Sequence, residues 1–481
     1  MPPHDDSSQV RTTDTGSAAS LRALQTAARH AADFIAGLGV RSVAATATLG
    51  QLRDRLGVTL GDQGTAPEQV IDDLVAATAG GHLGSAGGRF FGWVMGGALP
   101  SALAADWLAS TWDNNAALYP CGPAAAVVEE VAGAWLKDVL GLPPQASFAF
   151  TTGCQMAHLT CLAAARHAVL RQAGWDVELD GLAGSPPIRI LATDHHHASV
   201  VRAIRLLGLG TRALTALPTN AEGQLEAATL EAALAGPRIP TILVLNAGDL
   251  NQGACDPFAR LIPLARAAGA WVHIDGAFGL WARASRTYRH LVEGVDLADS
   301  WATDAHKWLN TPNDIGLAFV RDSAAHRAAM TVSASYLVTG GDARDQIDWT
   351  PDWTRRARGY PVYAALRELG RDGVEALIDR CCGHALAIAR GLAALPGVVL
   401  AAEPTLNQGL VRFLDPAPDA TEEDHDRRTD AVIAAVNASG EAFFSGATWR
   451  GRRVMRISVV NWRTSPDDVR RTLAAVEKAL G

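Results

Sequence analysis

The chain has 481 residues, 48% of them hydrophobic and 19% charged, which is too long for one simple core and too apolar for a disordered protein. A net charge of -8 argues against a nucleic-acid-binding protein, which would normally show a basic face. The six cysteines (Cys121, Cys154, Cys161, Cys255, Cys381, Cys382) have neither paired ligand spacing nor the density of a disulfide framework, which suits a reducing cytoplasm.

Residues 1–20 are polar and Ser/Thr-rich without the apolar run of a secretory signal, and a disordered tail is expected there. Apolar residues then recur at helical spacing from Leu21 to Gly39. A second helix is expected over 66–79, with Pro67 and Glu68 suited to its first turn and Gly80-Gly81 ending it. The stretch from Phe90 to Ala105 lacks charge, but Gly92, Gly96, Gly97 and Pro100 interrupt it. It is too short for a membrane span and reads as buried helix and pocket wall. Further helices are predicted over 98–111 and 123–140.

From 146 the pattern changes to short, continuously apolar runs separated by helices. The candidate strands are 147–151, 188–193, 241–246, 271–274, 300–303 and 316–321, with helices over 154–171, 198–207, 226–235 and 257–268. Strands of this kind form a mostly parallel sheet covered by helices on both faces, and ligands of such sheets bind at the carboxyl ends of the strands. After about Gly359 a small α+β unit is expected: a helix over 361–394, strands near 397–402, 408–414 and 453–460, a loop over 415–424, and a last helix over 466–480.

Chemistry-bearing residues fall at those strand ends. Lys307, preceded by His306, follows one strand, and Asp275 ends another. Pyridoxal phosphate needs both types: a lysine to hold its aldehyde as a Schiff base and a carboxylate to keep its ring nitrogen protonated. Gly153 joins a strand to a helix whose N-terminus suits a phosphate, although such a join is common in any α/β protein. Asp275 read alone could equally cap a helix. The run His195-His196-His197 cannot aim three rings at one ion and has no further ligand at the right spacing, so no metal site is expected. Without a G-x-G-x-x-G after a first strand, a flavin or nicotinamide enzyme is disfavoured.

Ala305-His306-Lys307-Trp308, together with the Asp275 strand, resembles the cofactor-lysine motif of the group II pyridoxal-phosphate decarboxylases, which include the aromatic amino acid and glutamate decarboxylases. The resemblance extends to Phe150–Ala157, Asp194–Val200 and Asn246–Pro257. It implies the type I pyridoxal-phosphate fold: an N-terminal helical segment (21–97), a large cofactor domain (98–358) and a small C-terminal domain (359–481). Lys307, His197 and Asp275 are then the catalytic residues. Gly153, Cys154, Gln155, His197, Asp275, Ala277, Ser300, His306 and Lys307 contact the cofactor. Within that set His197 stacks on one face of the ring, Ala277 lies on the other, and Ser300 is a cofactor-side serine. Phe90 and Trp93 line the substrate pocket, and Glu129 belongs to a segment near it.

The implied reaction is decarboxylation of an L-amino acid to the amine and carbon dioxide. A lyase or aldolase, an aminotransferase or an oxidative deaminase on the same site are the alternatives. A cytoplasmic homodimer without nucleic-acid or membrane partners is the implied setting. The chain departs from the family's pattern at several points. Cys154, Gln155 and Met156 replace small, hydroxyl and acidic residues, and Asp304 stands where an asparagine is found. Asp249-Leu250 replaces a pair of threonines, with Asn251 as the candidate substitute. The segment 337–353 is expected to be an exposed, mobile loop, yet it holds no tyrosine, since Tyr336 precedes it and Tyr360 follows it.

Overall fold

The protein is described here by a computed structural model covering residues 16–332 and 343–481. Seven strands form the main sheet: β1 (Ser147–Thr151), β2 (Arg189–Thr193), β3 (Leu214–Leu217), β4 (Thr241–Asn246), β5 (Trp271–Asp275), β6 (Ser300–Asp304) and β7 (Gly316–Val320), in the order β1-β7-β6-β5-β4-β2-β3. Only β7 runs against its neighbours β1 and β6; the remaining pairs are parallel. β1, β4, β5, β6 and β7 are buried along their whole length, as their unbroken apolar runs require when helices cover both faces. The fold is therefore the mostly parallel, helix-covered sheet expected from the sequence, with a small C-terminal sheet beside it.

That second sheet contains β8 (Val398–Thr405), β9 (Gln408–Phe413), β10 (Ser445–Trp449) and β11 (Arg452–Ser458), all antiparallel, in the order β10-β11-β9-β8. The helix Gly359–Ala393 leads into it from the large sheet. On the N-terminal side, Phe90 bridges Phe443, and the Phe91 backbone is bonded to both Phe443 and Ser458. Gly96 then passes so close to the turn after β6 that a Cβ would lie 2.2 Å from the Lys307 carbonyl oxygen. Any larger residue there would push the lysine turn away.

Several expectations need correction. The helix Ser17–Ala36 begins inside the stretch expected as a tail, and Ala19 is buried. The segment 343–353 is not an exposed loop. Gln346, Ile347 and Asp348 are buried, Asp345 accepts the Tyr119 N–H at 2.8 Å, and Asp348 pairs with Arg327 at 2.6 Å. Tyr336 and residues 337–342 lie outside the described residues. Glu129 is not near the pocket surface: it is fully buried and paired with Arg355 at 2.7 Å behind β1.

Candidate active site

A cavity of about 370 Å³, within the usual range for small-molecule sites, opens at the carboxyl ends of β1, β2, β4, β5 and β6. Each of those strands ends on a residue that either enters the cavity or hands the chain to one that does. Gly153, Cys154, Gln155, His197, Asp275, Ala277, His306 and Lys307 all line it. Trp93 lines it from the N-terminal segment. Its φ of +52° and that of Val94 at +56° lie in the left-handed region that a bulky or β-branched residue avoids.

Lys307 sits on the turn after β6. Its Nζ is 3.2 Å from Asp304 Oδ2. Burial works to lower the amine's pKa, but the carboxylates of Asp304 and Asp275 outweigh it and raise it above the ordinary value. The other oxygen of Asp304 accepts the Cys154 backbone N–H at 2.6 Å. This N–H, expected to meet a phosphate, is therefore held by a carboxylate. Gly153 makes the turn before it possible, with a φ of +124°. Next along the helix, the Gln155 Nε2 is buried without a partner.

Asp275 ends β5, and its Oδ1 accepts the Ala277 N–H at 3.2 Å. Burial acts to raise its pKa, yet His158, His197 and Lys307 together hold the carboxyl well below the usual range. Across the cavity, His197 caps the helix Ala198–Leu206. Its Nδ1 accepts the Ser199 N–H at 3.2 Å and lies 2.6 Å from the Ser199 hydroxyl. An Nδ1 that accepts a backbone N–H carries no proton, so a neutral His197 bears its proton on Nε2. Burial, the largest influence, lowers its pKa and favours that neutral form.

Three residues expected at the site lie outside the cavity lining. Ser300 stands at the opposite end of β6 from Lys307, fully buried, with its Oγ 2.9 Å from both Trp271 Nε1 and His273 Nδ1. Phe90 is buried and stacks on Phe443 at 4.7 Å, away from the cavity. Asn251 is also absent from the lining, which Asp249 and Leu250 supply instead. The structure adds two residues with no signal in the sequence pattern. Arg456 of β11 enters the cavity almost fully buried, with its Nε unpartnered. His158 lies beneath Asp275, with Nε2 3.5 Å from Oδ1.

The donor set fits a phosphorylated pyridine aldehyde. A helix N-terminus with an unpartnered Gln155 amide faces one end, a carboxylate ends the central strand, and a lysine stands at the side.

The pyridoxal-dependent decarboxylase conserved domain matches residues 50–414. The chain is 31% identical over 383 residues to L-2,4-diaminobutyrate decarboxylase of Rhizobium meliloti (strain 1021), covering 78% of this chain and 74% of that protein. It is 28% identical over 436 residues to tryptophan decarboxylase 1 of Oryza sativa subsp. japonica, covering 85% and 84%. The crystal structure of Oryza sativa TDC with PLP and tryptamine matches with a TM-score of 0.90 at 24% identity, over 97% of this chain and 98% of that one.

Proposed function

The chain belongs to the pyridoxal-dependent decarboxylase family and is a pyridoxal-phosphate-dependent amino acid carboxy-lyase, and on that premise we propose that Lys307 holds the cofactor and Asp275 holds its ring nitrogen. The observation that carries this reading is the convergence of the two in one cavity, with the unpartnered Gln155 amide at the phosphate end. When bound, the cofactor supplies an electron sink for the bond that breaks at Cα. The remaining work belongs to the chain. Asp275, held ionised, keeps a proton on the ring nitrogen. Gln155, Gly153 and His306 meet the phosphate, while Asp304 fastens the phosphate-end helix to the lysine turn. His197 and Ala277, both lining the cavity, would confine the ring, and the Nε2–H of His197 would supply the proton that replaces carbon dioxide at Cα.

The substrate is an L-amino acid whose side chain lies against Trp93. Arg456 offers the one described lining guanidinium, with its free Nε ready for an anion. A carboxylate leaving as neutral carbon dioxide gains nothing from a cation bound to it in the starting state. Arg456 therefore serves a group that keeps its charge.

A cytoplasmic homodimer completes the reading. Leu21, Leu24, Leu49, Val70 and Leu74 expose large apolar side chains along the N-terminal helices, as an interface requires. All six thiols are free, and no described helix is long and apolar enough to cross a membrane. The test is a screen of the purified protein against all amino acids, following carbon dioxide release. No release from any amino acid by a protein saturated with cofactor would overturn the reading.

A further inference from the structure

Behind Asp275 lies a buried row of polar side chains that the reaction above does not use. His273 and Asp275, two apart on β5, share the face covered by the helix Cys154–Gln172, which carries His158. The β5–β6 register sets Ser300 opposite His273. His158 Nε2 stands 3.5 Å from Asp275 Oδ1, and His158 Nδ1 is 2.9 Å from His273 Nε2. The His273 Nδ1 is in turn 2.9 Å from Ser300 Oγ, which the Trp271 indole also meets at 2.9 Å. His158, His273 and Ser300 are all fully buried.

We propose that His158 is a positioning residue, its Nε2–H aimed at the Asp275 carboxylate by a one-way hydrogen-bond chain that starts at Trp271 and runs through Ser300 and His273. The inference rests on the cofactor reading above, since its purpose is to keep Asp275 charged beneath a ring nitrogen. The direction follows from counting protons. An indole N–H can only donate and a carboxylate can only accept. Ser300 Oγ accepts from Trp271, and its own proton is then free to go to His273 Nδ1. Burial, with His158 beside it, pushes His273 down to about 3, so that ring is neutral. With Nδ1 accepting from the Ser300 hydroxyl, its single proton is on Nε2. His158 Nδ1 accepts that proton, which leaves the His158 proton on Nε2, facing Asp275. The reverse order would set a bare ring nitrogen against a carboxylate oxygen. Cys154 Sγ is also 3.4 Å from His158 Nε2, but burial keeps it a neutral thiol, a weaker acceptor than the carboxylate.

Asp275 needs this donor. It is almost fully buried, and its side chain accepts the Ala277 N–H at 3.2 Å, with His158 Nε2 the next nearest donor at 3.5 Å. A hydrogen bond to a charged group is worth roughly 10- to 100-fold in an equilibrium.

Two measurements on the apoprotein test this. Nitrogen NMR of histidine-labelled protein should find the proton on Nε2, with Nδ1 bare, in both His158 and His273. An Nδ1–H tautomer or a doubly protonated ring at either position overturns the proposal. The second measurement compares the affinity of His158→Leu for pyridoxal phosphate and for its analogue with carbon in place of the ring nitrogen. The variant should lose roughly 10- to 100-fold for the first and stay within about twofold for the second. Equal losses for both mean that His158 only packs, and no loss for either means that it does not support Asp275; each result overturns the proposal. If the wild-type protein binds neither compound, the cofactor reading fails while the tautomer result stands separately. Should His158→Leu not fold, Ser300→Ala is read by NMR instead. It removes the proton that fixes His273 and should leave that ring a mixture of tautomers, and an unchanged ring would refute the chain.

Discussion

The Asp304 carboxylate bridges Lys307 and Cys154, one oxygen 3.2 Å from the lysine Nζ and the other 2.6 Å from the cysteine N–H. This single side chain ties the lysine turn after β6 to the start of the helix after β1. It also raises the lysine's pKa against the opposing effect of burial. Only the free amine attacks an aldehyde, so capture of the cofactor by the apoprotein should speed up as pH rises. Asp304→Asn keeps an acceptor for Cys154 but removes the charge. The lysine pKa then falls, and the pH profile of cofactor uptake should move to lower pH. A profile that stays in place would show that Asp304 does not govern the amine.

The chain has only three lysines, Lys137, Lys307 and Lys478. Lys137 donates to the carbonyls of Pro144 and Ala146 at 2.5 and 2.9 Å, and Lys478 is exposed on the last helix. Borohydride reduction of the loaded protein followed by peptide mapping should therefore label Lys307 alone. Lys307→Ala should abolish the label, and a labelled Lys137 or Lys478 peptide would refute the assignment.

Arg456 should act on substrate binding. Its guanidinium reaches the cavity from β11, and Nη2 is held by the Leu250 carbonyl. Burial brings it down to about 10, still charged at neutral pH. Arg456→Met keeps the bulk and removes the charge. KM should rise about 10-fold or more with a smaller change in kcat, the pattern of a contact made equally in the ground and transition states. A fall in kcat at unchanged KM would place Arg456 in the chemistry instead.

Much of this arrangement was readable from the sequence, and the misses have physical causes. Unbroken apolar runs marked six of the seven strands of the large sheet. β3 escaped because it is a four-residue edge strand with two exposed residues. The helix Glu422–Ser439 escaped because its start is polar enough to read as loop, although Thr421 and Asp424 form a capping box. Lys307, Asp275 and Gly153 were legible because each closes a strand on the ligand side. Ser300 was misplaced because its distance from the lysine spans the whole of β6, so it belongs to the far end of the strand. His158 and Arg456 depend on which helix covers β5 and on where the second sheet docks, and neither fact has a local signature.

Glu129 and Arg355 form a fully buried pair whose guanidinium also donates to the carbonyls of Ala116 and Phe150, at 3.0 and 2.8 Å. Removing one partner strands a charge in the core, at a cost of about 3–5 kcal/mol. Glu129→Ala should therefore lower unfolding free energy by that order in a denaturant titration. Replacing the pair together with apolar residues should recover most of the loss. A single variant as stable as the wild type would mean that Arg355 finds another acceptor.

The last prediction concerns the proton that replaces carbon dioxide. The segment 337–353 contains no tyrosine, and the described part of it, 343–353, is fastened by Asp345 and Asp348 and supplies none of the lining of the cavity. His197 is placed for the task. Its Nδ1 is engaged by Ser199, its Nε2 carries the proton, and the side chain lines the cavity with Lys307 and Asp275. Positioned proton transfer contributes roughly 10²–10⁴-fold. His197→Asn should lower kcat by that order when measured at saturating cofactor. The products should also change. Where Cα is not promptly reprotonated, oxygen competes for the electrons, so the variant should yield less than one amine per carbon dioxide under air and return to one under nitrogen. The wild-type protein should give amine and carbon dioxide one to one in both atmospheres. A variant that keeps the wild-type rate and product balance would show that another group delivers the proton.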